Sequence, residues 1–174
     1  MMKDTVDRSG DAILSAKGLR NILVPLDGSA LAEQALAPAR MLAEAFGARI
    51  TLLRATRPIQ EIAVQLTPLD MPLTCDLEEI TQIEAEHTAQ YLNKVAARLG
   101  GSGLTIDTVH RQGHPADVLH DVAKEIGADL IAITTHGHGG WRRFISGSVA
   151  TEAIRHAHCP VLVVHVEGHE KRTG

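Results

Sequence analysis

The sequence predicts an α/β fold: a single domain built on an open, parallel, five-stranded sheet with helices on both faces. Three observations carry this reading. Short, near-continuous apolar runs bounded by turn residues have the composition of strands buried on both sides. Segments with apolar residues three and four apart separate them. The two kinds of segment alternate, β-α-β-α-β-α-β-α-β, and that order calls for parallel strands joined by right-handed crossovers.

The strands are expected at residues 21–26 (NILVPL), 49–55 (RITLLRA), 105–110 (TIDTVH), 129–134 (DLIAIT) and 160–166 (PVLVVHV). The third alternates more than the others and is rich in β-branched residues. The helices are expected at 30–46, 78–99, 116–126 and 148–157. In the first, Leu31, Ala35, Leu36, Ala39, Leu42, Ala43 and Phe46 keep helical spacing, Gly47 stands at the C′ position and Pro38 predicts a kink. Gly100 and Gly101 close the second helix and Gly127 the third. Residues 57–76 hold Pro58, Pro68 and Pro72 without a clear period. They read as a long loop that covers a ligand or a partner.

Composition narrows the function. The chain has 174 residues, in the size range of one domain with a sizeable core. Its 17 basic and 21 acidic residues give a net charge of −4, against a general nucleic-acid or membrane-surface binder. Aromatic residues are only 2%, too few for base-stacking platforms. Cys75 and Cys159 stand far apart, as free thiols of a reducing cytoplasm would. Residues 1–18 lack the apolar core of a signal peptide and read as a flexible extension before a domain at 19–168, with 169–174 as a tail.

In a doubly wound, Rossmann-like sheet of order 3-2-1-4-5, ligands bind beyond the carboxyl ends of the strands, where the order reverses. The loops at that point follow the first and fourth strands: Pro25-Leu26-Asp27-Gly28-Ser29, and the stretch TTHGHGGWRRFISGS from Thr134 to Ser148. Gly137, Gly139 and Gly140 let backbone approach a ligand closely. Gly147-Ser148 opens a helix whose first N–H groups and dipole suit phosphate. The same residues also fit a plain loop before an ordinary helix start. No GxxxxGK[ST] and no GxGxxG is present, so Walker and dinucleotide loops are disfavoured.

Gly137, nine residues, then Gly147-Ser148, followed by VATEAIRHAHCPVLVV, resembles the G-x2-G-x9-G-(S/T) signature of the ATP-binding universal stress proteins. NILVPLDGSALAEQAL resembles the family's first strand and turn, and the likeness runs from about Leu19 to Val166. The first signature glycine is replaced by Thr134, whose Cβ narrows the approach there. The resemblance implies ATP, with adenine near Pro25, Leu26, Asp27 and Ala55, and phosphates on Gly137, Gly147, Ser148, Val149 and Ala150. Mg²⁺ would be carried on the phosphates. Asp27 suits a ribose hydroxyl, a Mg²⁺ ion through water, or the cap of the first helix.

Arg142 and Arg143 sit in the nine-residue spacer, where they either reach the outer phosphates or remain solvated. His136 and His138 would favour anions at low pH, or simply fit the turn. Trp141 reads as a packing residue. His156, His158 and Cys159 lie close in sequence but on different sides of a helix end, and His110, His114 and His120 have no ligand spacing, so no metal site is assigned. The apolar last strand is an edge that needs cover, and the resemblance implies a homodimer through 160–166. The function expected is nucleotide occupancy regulating conformation or partner contacts in a stress response. The alternative is a dimeric interaction module that no longer binds nucleotide. No catalytic base is assigned near the γ-phosphate, so hydrolysis would be weak at most.

Overall fold

The computed structural model describes residues 18–58, 77–101, 103–137 and 148–167. Residues 1–17, 59–76, 102, 138–147 and 168–174 lie outside the described residues, and with them nearly all of the loop expected at 57–76 and His138, Gly139, Gly140, Trp141, Arg142, Arg143 and Gly147.

Five parallel strands form one sheet in the order β3-β2-β1-β4-β5. They are β1 (Asn21–Pro25), β2 (Arg49–Thr56), β3 (Ile106–Gln112), β4 (Leu130–Gly137) and β5 (Val161–Glu167). The helices are α1 (Leu36–Phe46), α2 (Leu77–Leu99), α3 (Pro115–Glu125) and α4 (Ser148–His156). β1 lies at the centre. Ile22, Leu23 and Val24 are fully buried, as a strand covered on both faces requires. Its register sets Asn21 beside Arg49 and Ile22 beside Leu130, so β2 and β4 flank it.

Two apolar layers follow from strand alternation. Ile22, Val24, Ile50, Leu52 and Ala132 face α1 and α2, where they meet Ala39, Leu92 and Val95. Leu23, Leu53 and Ile131 face α3 and α4, where they meet Leu119, Val122 and Ala153. On the α1 side, Ala35, Ala39 and Ala43 form a buried stripe that lets this segment lie close to the sheet. β3 is an edge with no fully buried residue, and Asp107, Thr108, Arg111 and Gln112 are exposed.

The first helical segment differs from the single helix expected at 30–46. A 3-10 turn, Ala32–Ala35, precedes α1. The Ser29 hydroxyl accepts from the Ala32 N–H at 3.1 Å and so caps this turn. Pro38 therefore stands in the first turn of α1, where its missing N–H costs no helical bond, and not in a helix interior. Gly47 ends α1 at φ 66°, with Ala48 N–H donating to the Ala43 carbonyl at 2.9 Å. At the opposite end of the sheet, the Asp129 carboxylate accepts from the N–H groups of Arg20 (2.9 Å) and Asn21 (3.0 Å), which pins the start of β1 to the start of β4.

Leu52→Ala removes a fully buried side chain from the α1/α2 layer. It should lower stability by about 2–5 kcal/mol, read from the midpoint of chemical unfolding.

Candidate functional site at the carboxyl ends of β1 and β4

β1 and β4 are neighbours in the sheet, yet the chain leaves them toward opposite faces: β1 leads to α1, and β4 leads to α4. This divergence opens a cavity of about 270 Å³ at their carboxyl ends. Pro25, Leu26 and Asp27 line it from the first strand and turn, Ala55 from β2, Thr134 from β4, and Val149 and Ala150 from α4. All were expected at the site from the sequence. The backbone of Gly137 ends β4, and that of Ser148 begins α4. Arg143 and Gly147 are the remaining expected residues and lie outside the described ones.

The first turn has a defined shape. Leu26 N–H donates to the Leu53 carbonyl at 2.7 Å, extending the ladder one residue past β1. The chain then reverses at Gly28, where φ is 87°, a conformation that favours glycine. Ser29 N–H donates to Asp27 Oδ1 at 2.8 Å. So Asp27 closes its own turn, while Ser29 serves the helical segment. The sequence had left capping open to Asp27; the structure gives that task to Ser29. Partial burial pushes the Asp27 carboxyl up, but hydrogen bonds from the Ser29 side chain and backbone, from its own N–H, and the charge of Arg54 outweigh it. The net effect holds it below its ordinary value of 3.8.

The walls are mostly apolar. Leu53 shares the Ala55 side of β2, two residues back, a relation the strand period alone could have supplied. Leu31, Ala32 and Ile133 complete the apolar lining, and Pro115 reaches in from the start of α3. No sequence signal pointed to Pro115. Thr134 is half-buried on the wall, so its side chain occupies space that a glycine would leave open. The arrangement is an apolar slot with one ionised carboxylate and the hydroxyl-bearing residues Ser29 and Thr134. The first turn of α4 forms one side, where helical N–H groups and the positive dipole end lie. Such a slot can hold a flat ring at one end and an anionic group at the other.

A further cavity of about 350 Å³ lies between α3 and α4, bordered by His120, Glu152, His156 and His158. His120 and His158 meet edge to face at 6.2 Å, and His156 Nε2 is 3.2 Å from Glu152 Oε2. Among the described residues, no group of three His, Cys, Asp or Glu side chains is placed to hold a metal ion. This cavity is on the face of the sheet and not at the strand ends. Cys159 is half-buried nearby, and burial, then the Asp129 charge, raises its thiol above the ordinary range, away from thiolate reactivity.

The sequence profile of the universal stress protein family matches residues 18–165. The chain belongs to the universal stress protein family. A universal stress protein of Methanocaldococcus jannaschii is 32% identical over 146 residues, covering 83% of this chain and 81% of its own length. A family member from Burkholderia pseudomallei, 29% identical, superposes with a TM-score of 0.59 over 84% of this chain and 96% of its own. The fold is shared with a universal stress protein in complex with cAMP (22% identity, TM-score 0.57, 86% of this chain and 98% of that one). It is also shared with an Arabidopsis thaliana family protein with AMP bound (16%, 0.51, 88% and 97%).

The depressed Asp27 value has a signed consequence. The unfolded chain binds this proton more readily, so the ionised carboxylate stabilises the fold above 3.8 and that contribution is lost as pH falls through the folded value. Asp27→Asn should therefore flatten the acid limb of stability, measured by denaturant unfolding from about pH 6 to about pH 2.5.

Proposed function

We propose that this chain binds ATP in the cavity beyond β1 and β4, with Mg²⁺ carried on the phosphates, and that occupancy biases its conformation or its partner contacts during stress. One observation carries the reading: residues from β1, β2, β4 and α4, distant in sequence, converge on one slot beside a helix start. The adenine ring would lie against Leu26 and Ala55, and the ribose hydroxyls would meet the Asp27 carboxylate. The phosphates would follow the backbone from Gly137 to Ser148 toward Val149 and Ala150, with Arg143 as a countercharge. The cAMP- and AMP-bound proteins of the same fold support the adenine class of ligand. The chain's own residues bind and orient; none is assigned to phosphoryl transfer, and an enzymatic role is not part of the proposal.

The protein is further proposed to be a cytoplasmic homodimer, made by pairing the last strand with its copy. β5 is the second edge of the sheet, opposite β3, and Leu162, Val163 and Val164 are half-buried along it. Leu162 and Val164 pack toward the α1/α2 layer, while Val163 belongs to neither core cluster. Among the described residues, no helix is long and apolar enough to cross a membrane.

The Thr134 side chain on the cavity wall favours a second reading, a dimeric interaction module that no longer takes nucleotide. Calorimetric titration of nucleotide-stripped protein with ATP and Mg²⁺, with AMP and GTP as controls, separates the two. Micromolar binding of ATP supports the first; no binding up to millimolar supports the second. Gly147→Val should abolish binding with the dimer intact. Asp27→Ala should weaken it by about 1.5–3 kcal/mol, the scale of one hydrogen bond to a charged group. Val163→Lys should shift sedimentation to the monomer; an unchanged dimer would contradict the strand pairing.

A further inference from the structure

Arg54 is a charged residue inside the largely apolar strand RITLLRAT, whose other cation, Arg49, is exposed at the strand's start. Its neighbours Leu53 and Ala55 face the nucleotide cavity, so alternation sends Arg54 to the opposite side of β2, the side of Ile50 and Leu52. There its guanidinium lies over the ring of Tyr91 on α2, 5.2 Å from the centroid. Tyr91 is itself fixed: its hydroxyl donates to Glu33 Oε1 at 3.0 Å, and Glu33 also holds Arg98. Burial, then the Glu33 hydrogen bond and charge, pushes the Tyr91 phenol up to about 12, so it remains a neutral donor and an intact π face.

The guanidinium also meets the first turn from beneath. A Cβ on Gly28 would stand 2.4 Å from Arg54 Nη1 and 3.3 Å from Cζ. At that position the left-handed backbone favours glycine, and any side chain there would have to displace the guanidinium. Arg54 Nε is buried with no hydrogen-bond partner, an uncompensated cost that a plain surface cation would avoid. Glu84 Oε2 is also buried and unpartnered, on the same roughly 550 Å³ cavity behind the turn, and the two residues form no ion pair there. The groups facing Arg54 are Asp27 from the turn, Glu84, His87 and Tyr91 from α2, and His110 from β3. The arginine thus stands between the Tyr91 ring and Gly28, with no carboxylate among the described residues ion-paired to it.

We propose that Arg54 is the positioning residue of the nucleotide turn: wedged between Tyr91 and Gly28, it fixes the Asp27-Gly28-Ser29 backbone in the shape that presents the Asp27 carboxylate to ligand. This rests on the nucleotide reading of the cavity for its purpose, though not for its geometry. Arg54 touches no ligand in this scheme; it acts through Gly28.

Three variants and two readouts test it. In the ligand-free protein, the amide resonances of Gly28 and Ser29 report the turn directly; in titrations, ATP affinity reports its use. Arg54→Met, which keeps an unbranched stem and removes the plane and charge, should move both amides and weaken ATP by at least ~10-fold, about 1.4 kcal/mol. Arg54→Lys restores charge without the planar fork and should remain impaired in both readouts. Tyr91→Leu removes the other side of the wedge, and combined with Arg54→Met its effect should be clearly less than additive, because the two act as a unit. Unmoved amides in folded Arg54→Met protein would overturn the proposal, as would full rescue by lysine, which would reassign the effect to charge. If the wild-type protein fails to bind ATP, the nucleotide reading falls, and the amide resonances alone still decide whether Arg54 shapes the turn.

Discussion

Everything at the candidate site depends on one constraint, the complete burial of β1 on both faces. A central parallel strand with Ile22, Leu23 and Val24 shut away from water can carry no chemistry along its length. Polar function is displaced to its ends. At the amino end, the Asp129 carboxylate takes up the N–H groups of Arg20 and Asn21, and the junction is purely structural. At the carboxyl end, the same crossover geometry that makes the strands parallel sends the chain after β1 and after β4 to different faces. The cleft between them is a consequence of the topology and needs no special residue to open it.

What the cleft can recognise comes from the few polar groups that survive at its rim. Asp27 is kept ionised mainly by the hydrogen bonds of its own turn, so its charge is a local property that the rest of the domain merely supports. Ser29 divides its labour, donating its N–H to Asp27 and accepting from Ala32 with its hydroxyl. The turn and the helical segment after it are therefore one hydrogen-bonded unit. Beneath it sit Arg54 and Tyr91, and behind them the Glu33–Arg98 pair, so the turn at the cleft is backed by a connected set of side chains.

Much of this could be read in the chain itself, for physical reasons that also explain the gaps. Three strands were legible because burial on both faces demands continuous apolar runs, and the edge strand β5 is as apolar though only half-buried; β3 is the exposed edge and carries polar residues such as Asp107 and Arg111. Helix ends were legible where glycine supplies a left-handed cap, as at Gly47. The 3-10 turn before α1 was not, because its spacing of small apolar residues is indistinguishable from that of the helix it joins. Of the residues expected at the candidate site from strand ends and a family resemblance, the fold brings Pro25, Leu26, Asp27, Ala55, Thr134, Val149 and Ala150 to one cavity. Pro115 was missed because only the tertiary crossover from β3 carries it to the cleft. Arg54 was passed over as part of a largely apolar run, although a cation in the interior of such a run is itself a signal. The His120–His158 ring contact depends on α3 lying beside α4, which no local spacing encodes.

The alanine stripe Ala35, Ala39 and Ala43 has a consequence beyond tight packing. Leu31 and Ala32, on the wall of the cleft, belong to the same helical segment that this stripe seats on the sheet. The stripe is thus a gauge block: the thickness of three methyl groups sets how far the wall stands from the strand ends. The width of the cleft is thus set at a distance, by residues that do not line it. Exchanging one of these alanines for valine would change that width while every residue lining the cleft stayed the same.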